Sequence, residues 1–127
     1  MQKKTLNRPT KAELRILQVL WRLGASTVRR VYEELGEAGG YTSVLKTMQI
    51  MLEKGFLSRN AEDRTHIYAA EVPEAEAKRG LVQELIEKAF GGSSKELIVQ
   101  ALSAKKASPE ELTEIKKMIE EMEGKKS

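Results

Sequence analysis

Short polar side chains cluster on one side of a segment whose spacing predicts an α-helix from Tyr41 to Lys54. The outward positions carry hydroxyl, amide and ammonium groups, on Thr42, Ser43, Lys46, Thr47 and Gln49. No Asp or Glu occurs between Tyr41 and Leu52, whereas a helix face that meets only solvent is usually rich in charged residues. Small donors and acceptors beside a single lysine suit contacts with base edges and phosphates in a DNA groove.

This helix needs an apolar side to hold it and a turn to end it. Val44, Met48, Met51 and Leu52 are spaced at i, i+4, i+7 and i+8, so they share one face that packs inward. Gly55 is expected to end the helix, and the residues after it predict two paired strands, at 56–59 and 65–69, with residues 60–64 as the tip. Residues 65–69 alternate with the period of two that is typical of a strand.

Two shorter helices are predicted before this segment. Thr10 and Glu13 have the spacing of a capping box, which predicts the start of the first helix, and Gly24 is expected to end it. Ser26 is expected to be the N-cap of the second helix. The apolar positions of the two helices are Leu14, Ile16, Leu17, Val19, Leu20, Trp21, Val28, Val31, Tyr32 and Leu35. Three short amphipathic helices so closely spaced predict one small bundle.

A three-helix bundle followed by a two-stranded hairpin is the winged-helix form of the helix-turn-helix. In that arrangement the third helix enters the DNA groove and the hairpin is the wing. The predicted fold is therefore mainly α with a small β-hairpin wing. We expect a winged-helix DNA-binding domain over residues 1–72 and a helical dimerisation domain over residues 73–127.

The winged-helix arrangement gives each candidate residue an expected role. Thr42, Ser43 and Lys46 are expected to contact base edges, and Tyr41 and Thr47 to contact phosphate or sugar. One of the two arginines at the start of the second helix, Arg29 or Arg30, is expected to meet a phosphate, and the sequence does not decide which. The predicted wing adds two further candidates for phosphate or minor-groove contact, Arg64 and His66.

Pro73 marks a boundary, because proline restricts its own backbone and that of the residue before it. Three more amphipathic helices are predicted beyond it, beginning near Glu74, Ser93 and Ser108. Three helices over so short a segment make a poor core alone, so we expect their apolar faces to meet those of a second copy. The expected dimer contacts are Leu81, Leu85, Ile98, Leu102, Leu112, Ile115, Ile119 and Met122, the last four at coiled-coil-like spacing.

Composition narrows the class of protein. The chain of 127 residues carries a net charge of +3, and its positive excess lies before residue 73, where 12 Lys and Arg face 8 Asp and Glu. It has no cysteine, which excludes disulfides and thiolate metal sites. No apolar run approaches the roughly 20 residues that span a membrane, and the first four residues lack the apolar core of a signal peptide. We therefore expect a cytoplasmic protein.

Catalysis is not expected. His66 is the only histidine, and no second ligand or base accompanies it, so neither a metal site nor a catalytic site is predicted. The sequence also lacks a glycine-rich phosphate loop and a His-Glu-x-x-His motif. The glutamates of the last helix flank its apolar positions and are expected to face solvent. No cofactor is expected.

Four segments of the chain occur in an order and spacing typical of a known family. They are Thr10-x-x-Glu13 with Leu20-Trp21, Thr27-Val28-Arg29-x-Val31, Tyr41-Thr42-Ser43-Val44-Leu45, and Lys54-Gly55-x-Leu57-x-Arg59. In these segments the chain resembles the penicillinase-repressor family of transcriptional regulators. The break at Phe90-Gly91-Gly92 followed by Leu97-Ile98 is also similar to the family's carboxyl-terminal region. The similarity runs from about Thr10 to Met122.

The resemblance implies a homodimeric repressor that binds a palindromic operator through an amino-terminal winged helix. Some members are inactivated by cleavage at an Asn-Phe bond under a membrane sensor, but Gln100-Ala101 stands at the matching position here. Cleavage is thus not implied for this chain, and any regulatory protease or sensor is unknown. The copper-responsive branch holds metal through cysteines, which this sequence lacks.

One alternative stays open: a winged helix used only for protein interaction, without DNA binding. Its third helix would be expected to present an acidic or apolar face. The absence of carboxylates between Tyr41 and Leu52 favours DNA.

Overall fold

The computed structural model describes residues 8–37, 39–62 and 64–124, with residues 61 and 62 described by their backbone alone. The elements run in chain order α1 (Lys11–Leu23), α2 (Val28–Glu34), α3 (Tyr41–Lys54), β1 (Leu57–Glu62), β2 (Thr65–Ala70), α4 (Glu74–Ala89), α5 (Ser94–Ala104) and α6 (Pro109–Gly124). The predicted fold class is confirmed, with a mainly helical chain and an antiparallel hairpin after the third helix.

One hydrophobic core joins the first three helices to the base of the hairpin. Its largest fully buried side chains are Leu17, Val31, Met48, Met51, Phe56 and Tyr68. The predicted inward face of α3 is confirmed, since Val44, Met48 and Met51 are buried and Leu52 packs against the cluster. Because core side chains lie against one another, the core fixes which side of α3 faces out.

Local signals set the ends of α1 and α3 as predicted. Thr10 caps α1 in a full capping box, with the Glu13 N–H donating to Thr10 Oγ1 at 3.1 Å and the Thr10 N–H to Glu13 Oε1 at 2.9 Å. Gly55 ends α3 in the left-handed conformation with φ of 86°. There the Gly55 N–H donates to the Leu52 carbonyl and the Phe56 N–H to the Met51 carbonyl, the paired bonds of a Schellman motif.

The prediction of Ser26 as the N-cap of α2 is wrong. Thr27 is the N-cap, because its side chain accepts a hydrogen bond from the Arg30 N–H at 3.1 Å. Ser26 is buried and forms an isolated antiparallel bridge with Tyr68, in which each N–H donates to the other's carbonyl at 2.9 and 2.8 Å. The backbone of Ser26 therefore ties the turn before α2 to the wing.

The wing is longer than predicted. Its strands pair from Leu57 with Ala70 to Glu62 with Thr65, so residues expected at the tip belong to β1. The turn is left with two residues, of which Arg64 has a φ of 67° and Asp63 lies outside the described residues.

The carboxyl-terminal helices start where the sequence predicts. Ser93 accepts from the Glu96 N–H at 3.1 Å, and Ser108 accepts from the Glu111 N–H at 3.0 Å ahead of Pro109. By packing, the described chain divides into two compact units between Val82 and Gln83, here called the amino-terminal and carboxyl-terminal units. The domain boundary at residues 72 and 73 stays a prediction.

A hydrogen bond from Trp21 joins α1 to the segment that follows β2. The indole N–H of Trp21 in α1 donates to the backbone carbonyl of Val72 at 2.9 Å. Val72 itself packs against the core, and Ala77 of α4 is buried. The segment after β2 is thus fastened to α1.

Candidate nucleic-acid interface

The outward side of α3 presents the polar residues that the sequence predicts. Thr42, Ser43 and Lys46 are exposed, on the side of the helix opposite Met48. Because 3.6 residues make a turn, Ser43, Lys46 and Ile50 follow one another along this outward side. We call these three residues the reading row. The row combines a hydroxyl, an ammonium group and an aliphatic side chain.

The start of α3 has no side chain capping it. Gly40 occupies the N-cap position with φ of 85°, and glycine has no side chain that could accept a cap hydrogen bond. The Val44 N–H reaches the Gly40 carbonyl at 3.3 Å, while the first-turn N–H groups before it point out of the helix end. The positive end of the helix dipole at Tyr41 favours an anionic neighbour such as a phosphate.

An aromatic and cationic cluster lies beside the same helix end. The rings of Tyr32 in α2 and Tyr41 in α3 meet edge to face, with centroids 5.7 Å apart. The guanidinium carbon of Arg29 lies 4.8 Å from the Tyr41 centroid and 5.9 Å from that of Tyr32. Cation–π attraction to two rings restricts where this guanidinium points. Arg29 is thus held next to the first residue of α3.

Arg30, one residue further along α2, is engaged differently. Its Nε lies 3.3 Å from Glu34 Oε2, and Arg22 Nη2 lies 3.0 Å from Glu34 Oε1. A carboxylate shared by two guanidinium groups neutralises part of their charge. Within the described residues Arg29 has no such carboxylate, which favours Arg29 over Arg30 as the phosphate contact.

Thr47 is placed less favourably than the sequence suggests. Its hydroxyl donates to the Ser43 carbonyl at 2.9 Å, and the residue is half-buried. A phosphate offers only acceptor oxygens, so a direct contact would require the hydroxyl to rotate away from Ser43. The expected phosphate contact of Thr47 stays a prediction.

The wing adds basic side chains on a defined face. Arg59 pairs with Tyr68 and Ala61 with His66, so Arg59 and His66 lie on the same face of the hairpin. Both are exposed, and Arg64 is exposed at the turn. The sequence predicts contacts for Arg64 and His66 but not for Arg59, because the side that a strand residue faces depends on the register.

The far end of α3 is fixed by a partly buried ion pair. Lys54 Nζ donates to Glu13 Oε2 at 2.7 Å, and only 4% of the Glu13 side chain is exposed. The other carboxylate oxygen accepts the Thr10 N–H of the α1 capping box. Lys54 Nζ also lies 5.5 Å from the Phe56 ring centroid. The carboxyl-terminal end of α3 is therefore anchored to the start of α1.

The predicted dimer contacts are apolar side chains, and most of them are exposed to solvent in the described chain. Leu81 and Ile115 are half-buried, and the exposed members are Leu85, Ile98, Leu102, Leu112, Ile119 and Met122. Neither α5 nor α6 contains a buried residue. Gln100 and Ala101 lie near the middle of α5, and both are exposed to solvent.

Two kinds of feature are absent from the described residues. No group of three or more His, Cys, Asp or Glu in that part of the chain is arranged to hold a metal ion. Among the same residues, no helix has the length and apolar character needed to cross a membrane.

A bundle with a β-hairpin, a polar outward face on its third helix and basic residues on both sides defines a winged-helix protein of the DNA-binding class. The model of the penicillinase repressor family matches residues 9–121. The chain belongs to this family of transcriptional repressors.

Two curated proteins are similar to the chain over most of its length. The chain is 24% identical over 119 residues to the penicillinase repressor of Bacillus licheniformis, and the match covers 91% of each chain. It is 25% identical over 115 residues to an uncharacterised 16.5 kDa protein in the ptsI 3′ region of Latilactobacillus sakei, covering 89% of this chain and 79% of that one.

Proposed function

We propose that this repressor binds one specific inverted-repeat operator as a homodimer, with α3 in the major groove and the wing on the flanking backbone. The observation that carries the proposal is the outward side of α3. It offers Thr42, Ser43 and Lys46 to solvent without a carboxylate before Glu53. Hydroxyl and ammonium groups at this spacing match the donors and acceptors of base edges.

Phosphate contacts would fix the register of α3 on the duplex. Arg29 beside Tyr41 supplies a cation at one end of the helix, and Arg59, Arg64 and His66 supply cationic or polar groups on the wing. Such contacts give affinity without sequence preference, and the base-edge contacts of α3 add specificity.

The carboxyl-terminal helices would supply the second half-site. One recognition helix reads only a few base pairs, so a two-fold dimer is the usual way to reach a longer site. The exposed apolar side chains of α4, α5 and α6 fit burial against a second copy.

Selection from a random duplex library by the full-length protein tests the proposal. The expected outcome is enrichment of one inverted repeat with half-sites about 10 base pairs apart or a multiple of this. Lys46→Ala should weaken binding to the selected duplex by roughly 1–3 kcal/mol for each half-site and relax the preference at one position of each half-site.

Lys105→Ala is the matched control, because it removes the same charge from an exposed turn between α5 and α6. It should bind as the wild type does. Equal binding by Lys46→Ala and Lys105→Ala would remove Lys46 from the base contacts. The absence of any enriched sequence would instead favour the protein-interaction alternative.

A further inference from the structure

Ile50 is an exposed aliphatic residue on a side of α3 that is otherwise polar. Among the described residues before Val82, the large apolar side chains that are exposed are Tyr41, at 36%, and Ile50, at 41%. Tyr41 is in contact with the Arg29 guanidinium and the Tyr32 ring. Ile50 projects outward, away from the core on Met48 and Met51.

The position of Ile50 continues the reading row. It follows Lys46 by four residues and Ser43 by seven, which places all three on one side of the helix. At 1.5 Å per residue, Ser43 and Ile50 are separated along the axis by about 10 Å. That distance corresponds to about three base-pair steps of 3.4 Å. With α3 lying along the groove as proposed above, Ile50 would therefore meet a different base pair from Ser43.

The next outward residue marks where the row ends. Glu53 is exposed one turn after Ile50 and carries a negative charge that phosphates repel. Lys54 does not offset this charge at the same place, because its ammonium group is engaged with Glu13. Ile50 is thus the last side chain of the row that suits the groove.

An aliphatic side chain is selective among base edges. The C5-methyl group of thymine is the apolar feature of the major groove, whereas the other edges present donors and acceptors. Placing isoleucine against a polar edge would remove water from that edge without replacing the hydrogen bond. We propose that Ile50 contacts a thymine methyl group and so specifies thymine at one position of each half-site, an inference that rests on the proposed function.

Replacing single thymines by uracil in the selected duplex tests this contact, since uracil keeps every hydrogen-bonding group and lacks only the methyl. For the wild type, we expect one thymine in each half-site whose replacement weakens binding about fourfold, the effect of one buried methyl group. Ile50→Ala removes the contact from both half-sites, so it should bind the thymine duplex about 16-fold more weakly, and it should not respond to the uracil replacement. Ile50→Val, which keeps both branches at Cβ, should keep most of the response.

The outcomes separate this inference from the function on which it rests. Enrichment of an inverted repeat by the wild type supports the operator proposal whatever Ile50 does. If Ile50→Ala then responds to every uracil replacement as the wild type does, or if no thymine occurs in the half-site, the contact is overturned while the operator proposal stands. If no sequence is enriched, both are overturned. Circular dichroism on heating checks that Ile50→Ala folds, as expected for an exposed position.

Discussion

At the scale of single residues, Arg29 and Arg30 are neighbours with different surroundings. Two tyrosine rings hold Arg29, and Arg30 shares the Glu34 carboxylate with Arg22. Sequence alone left both arginines as candidates, because both are expected at the start of α2. Their partners come from α1 and α3, so only the packed structure distinguishes them.

The salt dependence of binding provides a test of Arg29. Each phosphate contact contributes about 0.9 to the slope of log K against log salt concentration. Arg29→Gln removes one phosphate contact from each protomer, so it should lower the magnitude of the slope for the dimer by about 1.8. Arg30→Gln, which leaves Glu34 paired with Arg22, should change it much less. Measuring binding of the selected duplex from low to moderate salt gives both slopes. A larger change for Arg30→Gln would reverse the assignment.

Tyr32 allows the orientation of Arg29 to be tested separately. Tyr32→Leu removes one ring against Arg29, and it should lower the salt slope in the same direction as Arg29→Gln. Tyr32→Phe keeps the aromatic face and should keep the slope. If leucine and phenylalanine behave alike, Tyr32 serves the packing of α2 alone.

The ion pair between Glu13 and Lys54 should matter for stability more than an exposed pair would. Removing one partner of a buried pair costs roughly 3–5 kcal/mol, and the partial exposure of Lys54 lowers our expectation for Lys54→Met to about 2 kcal/mol. Glu13→Gln combined with Lys54→Met should recover part of this loss, because the glutamine oxygen still accepts the Thr10 N–H. Urea unfolding of the two single variants and the double variant measures the coupling. If the loss in free energy of unfolding of the double variant equals the sum of the two single losses, the ion pair contributes nothing to stability.

At the scale of elements, rules that use only neighbouring residues predict most boundaries of the helices and strands. They fail where the backbone pairs with a segment far along the chain. The capping box of α1, the length of α3 and the glycine at its end follow from neighbours in sequence. Ser26 has the side chain of an N-cap, yet its backbone pairs with Tyr68, which lies 42 residues later. The length of the wing likewise depends on register, which also places Arg59 beside His66. Ile50 was missed because helical periodicity does not by itself give the width of the buried face.

Gly55 and Gly80 differ in backbone conformation, so the same substitution to alanine at the two positions can be compared. Gly55 has φ of 86° in the Schellman motif, and Gly80 lies in α4 without a positive φ, with open space at the position of a Cβ in both. Gly55→Ala should lower the free energy of unfolding by about 1–2 kcal/mol because the left-handed conformation is strained for alanine. Gly80→Ala should raise it by about 0.5–1 kcal/mol. Thermal unfolding followed by circular dichroism measures both changes. If the two substitutions change the free energy of unfolding in the same direction, the role given to Gly55 is contradicted.

At the scale of the whole molecule, the uncovered apolar side chains of the carboxyl-terminal unit predict association. Ile119 is 48% exposed in α6, at the centre of the Leu112, Ile115, Ile119 and Met122 spacing. A glutamate there would place a charge in the proposed contact, where burial without a partner is costly.

Ile119→Glu should therefore be monomeric at concentrations where the wild type is dimeric, as measured by sedimentation equilibrium. It should also lose the preference for the inverted repeat over a single half-site. Lys117→Glu adds negative charge to the same helix away from these residues and should stay dimeric. A dimeric Ile119→Glu would place the contact elsewhere.

The hydrogen bond from Trp21 to the Val72 carbonyl has a spectroscopic consequence. Trp21 is the only tryptophan of the chain, so all indole emission comes from the place where the segment after β2 meets α1. Release of this segment would expose the indole to water and move its emission to longer wavelength. Intrinsic fluorescence therefore reports on this junction in unlabelled protein, and a shift that precedes the loss of helical signal on heating would show that the junction opens before the bundle unfolds.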